Sequence, residues 1–167
     1  MAVIDEFKVQ HCEYVSTRSF EDIIAAFEAA VGSVEDGGLG ETVAFASGKA
    51  DFENRIHAKE GESGFMRFLT TDHGAWLKIM GLKAKAKMYT IGNPLIAETM
   101  IKHDLAAGLN VPVRLMIYED ASGTTRLAYD LPSSLMSRLR NEKLTDAAQK
   151  LDAKLAALAE QVTGASA

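Results

Sequence analysis

All three prolines of this 167-residue chain lie between positions 94 and 132, each at a point where a regular element is due to begin. Proline holds φ near about −65° and donates no N–H, so it fits the first position of a helix or the approach to a strand and breaks the interior of either. Asn93 before Pro94 is a good helix cap, and the pair predicts a helix with Ile96, Met100, His103 and Ala107 on one stripe and Gly108 at its end. Val111–Glu119 alternates cleanly: Val113, Leu115 and Ile117 take one face of a strand, Arg114, Met116 and Tyr118 the other. Asp120-Ala121-Ser122-Gly123 then forms a hairpin turn into a strand over Thr125–Asp130, and Pro132 opens a short helical turn through Arg140.

The flanks are less regular. Phe7–Val15 carries short-range alternation and reads as a strand. Ser19 with Asp22 caps a helix whose face is Phe20, Ile23, Ile24, Phe27 and Val31, stopped by Gly32. Thr42–Ala46 reads as a weak strand, Ala50–Gly61 as a short helix, and Phe65–Thr70, Trp76–Met80 and Lys83–Ile91 as three strands with breaks at Gly74 and Gly81. A last helix over 145–162 carries Leu144, Ala148, Leu151, Leu155, Leu158 and Val162 at heptad spacing. That seam serves either the chain's own core or a partner helix. Residues 164–167 read as a frayed tail, and no linker divides the chain, so one domain spans 1–167.

Net charge limits the choice of partner. At −5 the chain lacks the broad basic footprint that phosphate contacts need, so nucleic acid is not expected. No apolar run approaches the roughly 18–20 residues that span a bilayer, and the start, Met1-Ala2-Val3-Ile4-Asp5-Glu6, is acidic where a signal peptide is basic. A cytoplasmic protein without a membrane partner is the expectation. Cys12 is the single cysteine, which leaves no intramolecular disulfide and no multi-cysteine metal site.

The candidate chemistry is sparse. Gly37-Gly38-Leu39-Gly40 resembles a phosphate loop only superficially: it leads into the expected weak strand, and no Lys followed by Ser or Thr comes after it. No two of His11, His57, His73 and His103 stand one helical turn apart as metal-binding pairs do. His73 sits at a strand break where it can overhang a pocket mouth, and His103 lies on an apolar stripe. Lys83, Lys85 and Lys87 make one strand face cationic, which serves edge protection or an anion strip. Arg114 shares a face with Met116 and Tyr118 and, if buried, needs a carboxylate such as Asp130, Glu119 or Glu98. Tyr118 and Tyr129 can bring hydroxyls to the same place. No nucleophile, base and orienting group come together by spacing, so no catalytic residue is assigned.

Several short motifs in order have a family look: Tyr89-Thr90-Ile91-Gly92-Asn93-Pro94, Met100, His103-Asp104, Val111-Pro112-Val113-Arg114, Tyr118-Glu119-Asp120 with Gly123, and Tyr129-Asp130 with Pro132. This block, residues 89–132, resembles the bacterial and archaeal family called domain of unknown function 302, and the flanks look like its longer members. The resemblance implies an α+β fold of two layers, a curved antiparallel sheet packed against helices in a TATA-binding-protein-like architecture, often as a homodimer. It carries over no activity and no cofactor.

The expectation that follows is a non-enzymatic, homodimeric module that binds or senses a small, partly apolar or acidic ligand through Asn93, His103, Arg114, Met116, Tyr118 and Tyr129, with His73 at the rim. The alternatives are a metal or haem protein or an enzyme using His73 and His103, and an interaction module using the terminal helix.

Overall fold

A computed structural model describes residues 1–165. Its six strands are β1 (His11–Ser16), β2 (Gly32–Ser33), β3 (Met66–Asp72), β4 (Ala86–Gly92), β5 (Val113–Glu119) and β6 (Thr125–Asp130). They form one open sheet in the order β1-β6-β5-β4-β3-β2, antiparallel throughout except for the short parallel pair β2–β3. The α-helices are α1 (Phe20–Ala30), α2 (Gly38–Phe45), α3 (Lys49–His57), α4 (His73–Ile79), α5 (Pro94–Ile101), α6 (Pro132–Met136) and α7 (Glu142–Thr163). The α+β class is the one expected.

The register assigns the faces. Tyr89 lies opposite Leu115, and Ile117 opposite Leu127; all four are buried. Against this inner face lie α1, through Ile23 and Phe27, and α7, through all six residues of its heptad seam, every one of them buried. Phe27 meets the Tyr89 ring at a centroid distance of 4.6 Å. The seam thus belongs to the chain's own core. The helix begins at Glu142, three residues before the expected start, because Asn141 Oδ1 accepts from the Leu144 N–H at 3.1 Å. It ends at Gly164, whose φ of 69° suits glycine. The last two residues of the expected tail lie outside the described region.

Four expectations for the flanks are corrected. Thr42–Ala46 is not a strand but part of α2: Gly37 opens the helix in a left-handed conformation, and the Thr42 hydroxyl donates to the Gly38 carbonyl at 2.6 Å within it. Trp76–Met80 is not a strand either. Asp72 Oδ1 accepts from the Ala75 N–H at 2.8 Å and caps α4, so a local cap outweighs weak alternation. β4 starts only at Ala86, which leaves Lys83 and Lys85 ahead of the strand. β1 starts at His11 rather than Phe7, and the first ten residues form no regular element.

Gly32 does more than stop α1. Its N–H donates to the Phe65 carbonyl at 2.8 Å, and a Cβ there would fall 1.8 Å from the Lys59 carbonyl oxygen. Only glycine lets the chain turn at this point into β2 beside β3. A smaller apolar cluster, Val34, Ile56 and Met66 with Leu39, Phe68 and Leu95 against it, fills this end of the sheet.

Candidate functional site

Asn93 and Pro94 set the entry of α5, as the sequence predicts. Pro94 takes the first turn, and Asn93 Oδ1 accepts from the Leu95 N–H at 2.9 Å. The Asn93 side chain also donates, to Glu60 Oε2 at 2.6 Å and to the Gly64 carbonyl at 2.9 Å. All its polar atoms are therefore engaged, which explains how an amide can be buried here. This ties α5 to the end of the sheet where β4 finishes and β5 starts.

Between that helix and the sheet end opens a cleft of about 530 Å³. Ile91 and Val113 line it from the sheet, Ile96, Ala97 and Ile101 from α5, and Leu39, Phe68, Leu105 and Pro112 complete the lining. Its surface is almost wholly apolar. Asn93 is the polar residue at the base, while Glu98 and Lys102, 3.5 Å apart and both exposed, stand at the rim.

Of the six residues expected to bind a ligand, only Asn93 lines this cleft. Arg114, Met116 and Tyr118 share a face as expected, but it is the outer face of the sheet, away from α1 and α7. Arg114 is exposed and shares a shallow groove with Asp130. The Tyr118 hydroxyl donates to Glu13 Oε2 at 2.7 Å. Tyr129 turns the other way: it is buried on the inner face beside Tyr14, ring centroids 6.3 Å apart, and burial pushes its hydroxyl well above the ordinary range. Tyr118 lies opposite Arg126, and Tyr129 stands three residues further along β6, an odd step, so the pleat sends the two hydroxyls to opposite faces of the sheet. His103 follows α5 instead of lying on its stripe, and its carbonyl accepts from Asn141 Nδ2 at 3.3 Å. His73 opens α4, where its Nδ1 accepts from the Trp76 indole N–H at 3.1 Å. Among the described residues no group of three or more His, Cys, Asp or Glu side chains is arranged to hold a metal ion, so His73 and His103 have no common third ligand.

Two lysines of the cationic strip, Lys85 and Lys87, are paired within the chain. Lys85 lies 3.1 Å from Glu21 and 3.4 Å from Glu119, and Lys87 lies 3.8 Å from Glu28. Glu28 belongs to a polar group under α1 in which the Tyr89 hydroxyl donates to its Oε1 at 2.8 Å and Arg67 Nη1 is 3.5 Å away. Burial, reinforced by the Glu28 carboxylate, raises the Tyr89 hydroxyl far above the usual tyrosine value. Glu35, 3.6 Å from Arg67, balances the second cation, so this group is a neutral set that braces the sheet.

The residues that make the cleft were missed at the sequence level for a definite reason. The Ile96–Met100 stripe was visible, but Leu95, Ala97 and Ile101 make α5 apolar on nearly every side. A short helix apolar all round has more than one face to cover, and that was the available signal.

Residues 41–162 match the family described as domain of unknown function DUF302. The chain belongs to the DUF302 family. The match takes in every cleft-lining residue except Leu39 and leaves β1, α1 and β2 outside. The crystal structure of an uncharacterized conserved DUF302 protein from Bacillus stearothermophilus superposes with a TM-score of 0.65, covering 91% of this chain and 97% of that one at 18% identity. That likeness concerns the fold. Curated relatives include two proteins named fluoride-specific ion channel FluC 1, from Brucella suis biovar 1 and Brucella abortus biovar 1. Each is 32% identical over 107 residues, which is 64% of this chain. The chain spans about two-fifths of the length of these relatives, 42% and 39%.

Proposed function

We propose that this DUF302 chain is a single, non-enzymatic small-ligand-binding or sensing module, working as a pair of copies, whose ligand enters the cleft beside α5 apolar part first. The cleft itself carries this reading. Its volume of about 530 Å³ falls within the roughly 300–1,000 Å³ of small-molecule sites. Because every polar atom of Asn93 is already bonded, a ligand's buried portion finds no hydrogen-bond partner and is best made of hydrocarbon. A polar head belongs at the rim, beside Glu98 and Lys102. None of the lining residues is a Ser, Cys or Thr nucleophile with a histidine beside it, which favours binding over catalysis.

The channel name belongs to the Brucella proteins. Among the described residues of this chain no helix is long and apolar enough to cross a membrane, so we assign it a sensing role and not a conducting one. The cytoplasmic location, and the exclusion of nucleic acid and membrane as partners, belong to the same proposal.

Octanoate and 1-anilinonaphthalene-8-sulfonate are suitable probes, followed by thermal shift and by fluorescence. The expected result is saturable binding of the dye, its displacement by octanoate, and a rise in melting temperature with octanoate. Ala97→Trp, which fills the cleft from the α5 wall, should abolish both signals without lowering the melting temperature of the free protein. Binding that survives Ala97→Trp, or no binding of either probe, would overturn the proposal.

A further inference from the structure

A second recess, of about 390 Å³, opens where α5 and α7 meet the end of α3. Leu95, Ile96, Ala147 and Leu151 supply its apolar lining, and Lys150, Lys154, His57 and Glu60 its polar one. The cleft described above offers one lysine, already paired with Glu98. This recess offers two that are not paired.

Lys150 and Lys154 stand one turn apart on α7, so their ammonium groups repel across the same face. Among the described residues the lysines that form ion pairs are Lys49, Lys85, Lys87 and Lys102, and neither of these two belongs to that set. The carboxylate of the recess is committed elsewhere: Glu60 Oε1 pairs with His57 Nδ1 at 2.9 Å, and its Oε2 accepts from Asn93 Nδ2 at 2.6 Å. Asp146, one turn before Lys150, does not line the recess. Lys154 is also held in place. Its Nζ lies 5.9 Å from the centroid of the Phe65 ring, and a Cβ on Gly64 would fall 3.3 Å from that ammonium. Glycine at this left-handed turn, φ 77°, leaves the space that the ammonium takes. Positive charge is therefore fixed over an apolar floor, with both Glu60 oxygens turned to other partners.

We propose that this recess binds a small organic phosphate monoester, its phosphate between Lys150 and Lys154 and its apolar part on Ile96 and Leu151. Two separate ammonium groups act as point charges and suit a compact dianion. Planar carboxylates are matched best by arginine, and the described lining contains none. The first turn of α5, whose peptide dipoles favour negative charge, belongs to the same lining. The site is separate from the cleft and does not rest on the ligand proposed there.

Calorimetric titration with phenyl phosphate and with inorganic phosphate, at low salt, tests this. The expected result is saturable binding of phenyl phosphate at one site per chain, weakening as sodium chloride is added. It should be about tenfold tighter than binding of inorganic phosphate, through partial burial of the ring. Lys150→Gln and Lys154→Gln should each weaken it about fivefold, and the double variant more. Both lysines are exposed, so these variants keep the fold. Octanoate binding in the cleft should be the same in the double variant as in the wild type. Ala97 lines the cleft and not this recess, so Ala97→Trp should leave phenyl phosphate binding intact; the two sites can thus fail separately. Phenyl phosphate binding that is absent, that is no tighter than inorganic phosphate, that survives the double variant, or that is lost in Ala97→Trp would overturn the proposal.

Discussion

On the outer face Arg126 holds two carboxylates at once. Its Nε donates to Asp120 Oδ2 at 2.7 Å, and its Nη1 pairs with Glu13, which also accepts from the Tyr118 hydroxyl. The Ser122 hydroxyl, then Arg126 and the Thr124 N–H, hold the Asp120 carboxyl well below its ordinary value of 3.8. A carboxylate depressed in this way contributes stability that is complete above the unfolded value and lost as pH falls through the folded one. Arg126→Met should therefore be less stable than wild type at neutral pH, with the gap closing below about pH 4; urea titrations at several pH values will show it. A gap that is independent of pH would assign Arg126 a packing role only. Little of this network was visible in the sequence, where Glu13 and Arg126 lie far apart. Asn93 shows the other side: its cap was legible because Pro94 follows it, while its bonds to Glu60 and Gly64 are long-range and were not.

Among the elements, starts marked by a local cap and strands with a strong apolar period were read correctly, but the stripe of α5 was carried too far: the helix ends at Ile101, His103 falls in the turn after it, and Ala107 belongs to a separate 3₁₀ helix over Leu105–Leu109. α1 has the Ser19 cap, α5 has Asn93 and Pro94, and β5 has a strict alternation. The failures, α2 and α4, are short helices whose apolar residues face outward; Val43, Phe45, Trp76 and Ile79 are all exposed, so periodicity carried no information about them. A single cap at Asp72 decided α4. The terminal helix poses a different question, since a heptad pattern does not say which surface it packs on. The structure places Leu155 at the bottom of the chain's own core. Leu155→Ala should cost about 2–5 kcal/mol in chemical denaturation, with the mass in solution unchanged. A change in mass without loss of stability would make the seam a partner surface instead.

At the scale of the whole molecule, the sheet separates two surfaces that the linear sequence had joined. Alternation in β5 correctly set Arg114, Met116 and Tyr118 together, but a strand pattern does not say which of its faces the helices will cover. Burial of Val113, Leu115 and Ile117 under α1 and α7 sends the polar trio outward, and the apolar cleft beside α5 lies on the other side. The two locations make different claims about the same protein. Two-dimensional ¹H–¹⁵N spectra recorded during a titration with octanoate separate them most directly. The shifting amides should cluster at Leu95–Leu105, Phe68, Val111 and Val113. Shifts centred instead on Arg114, Met116 and Tyr118, with α5 unmoved, would contradict it.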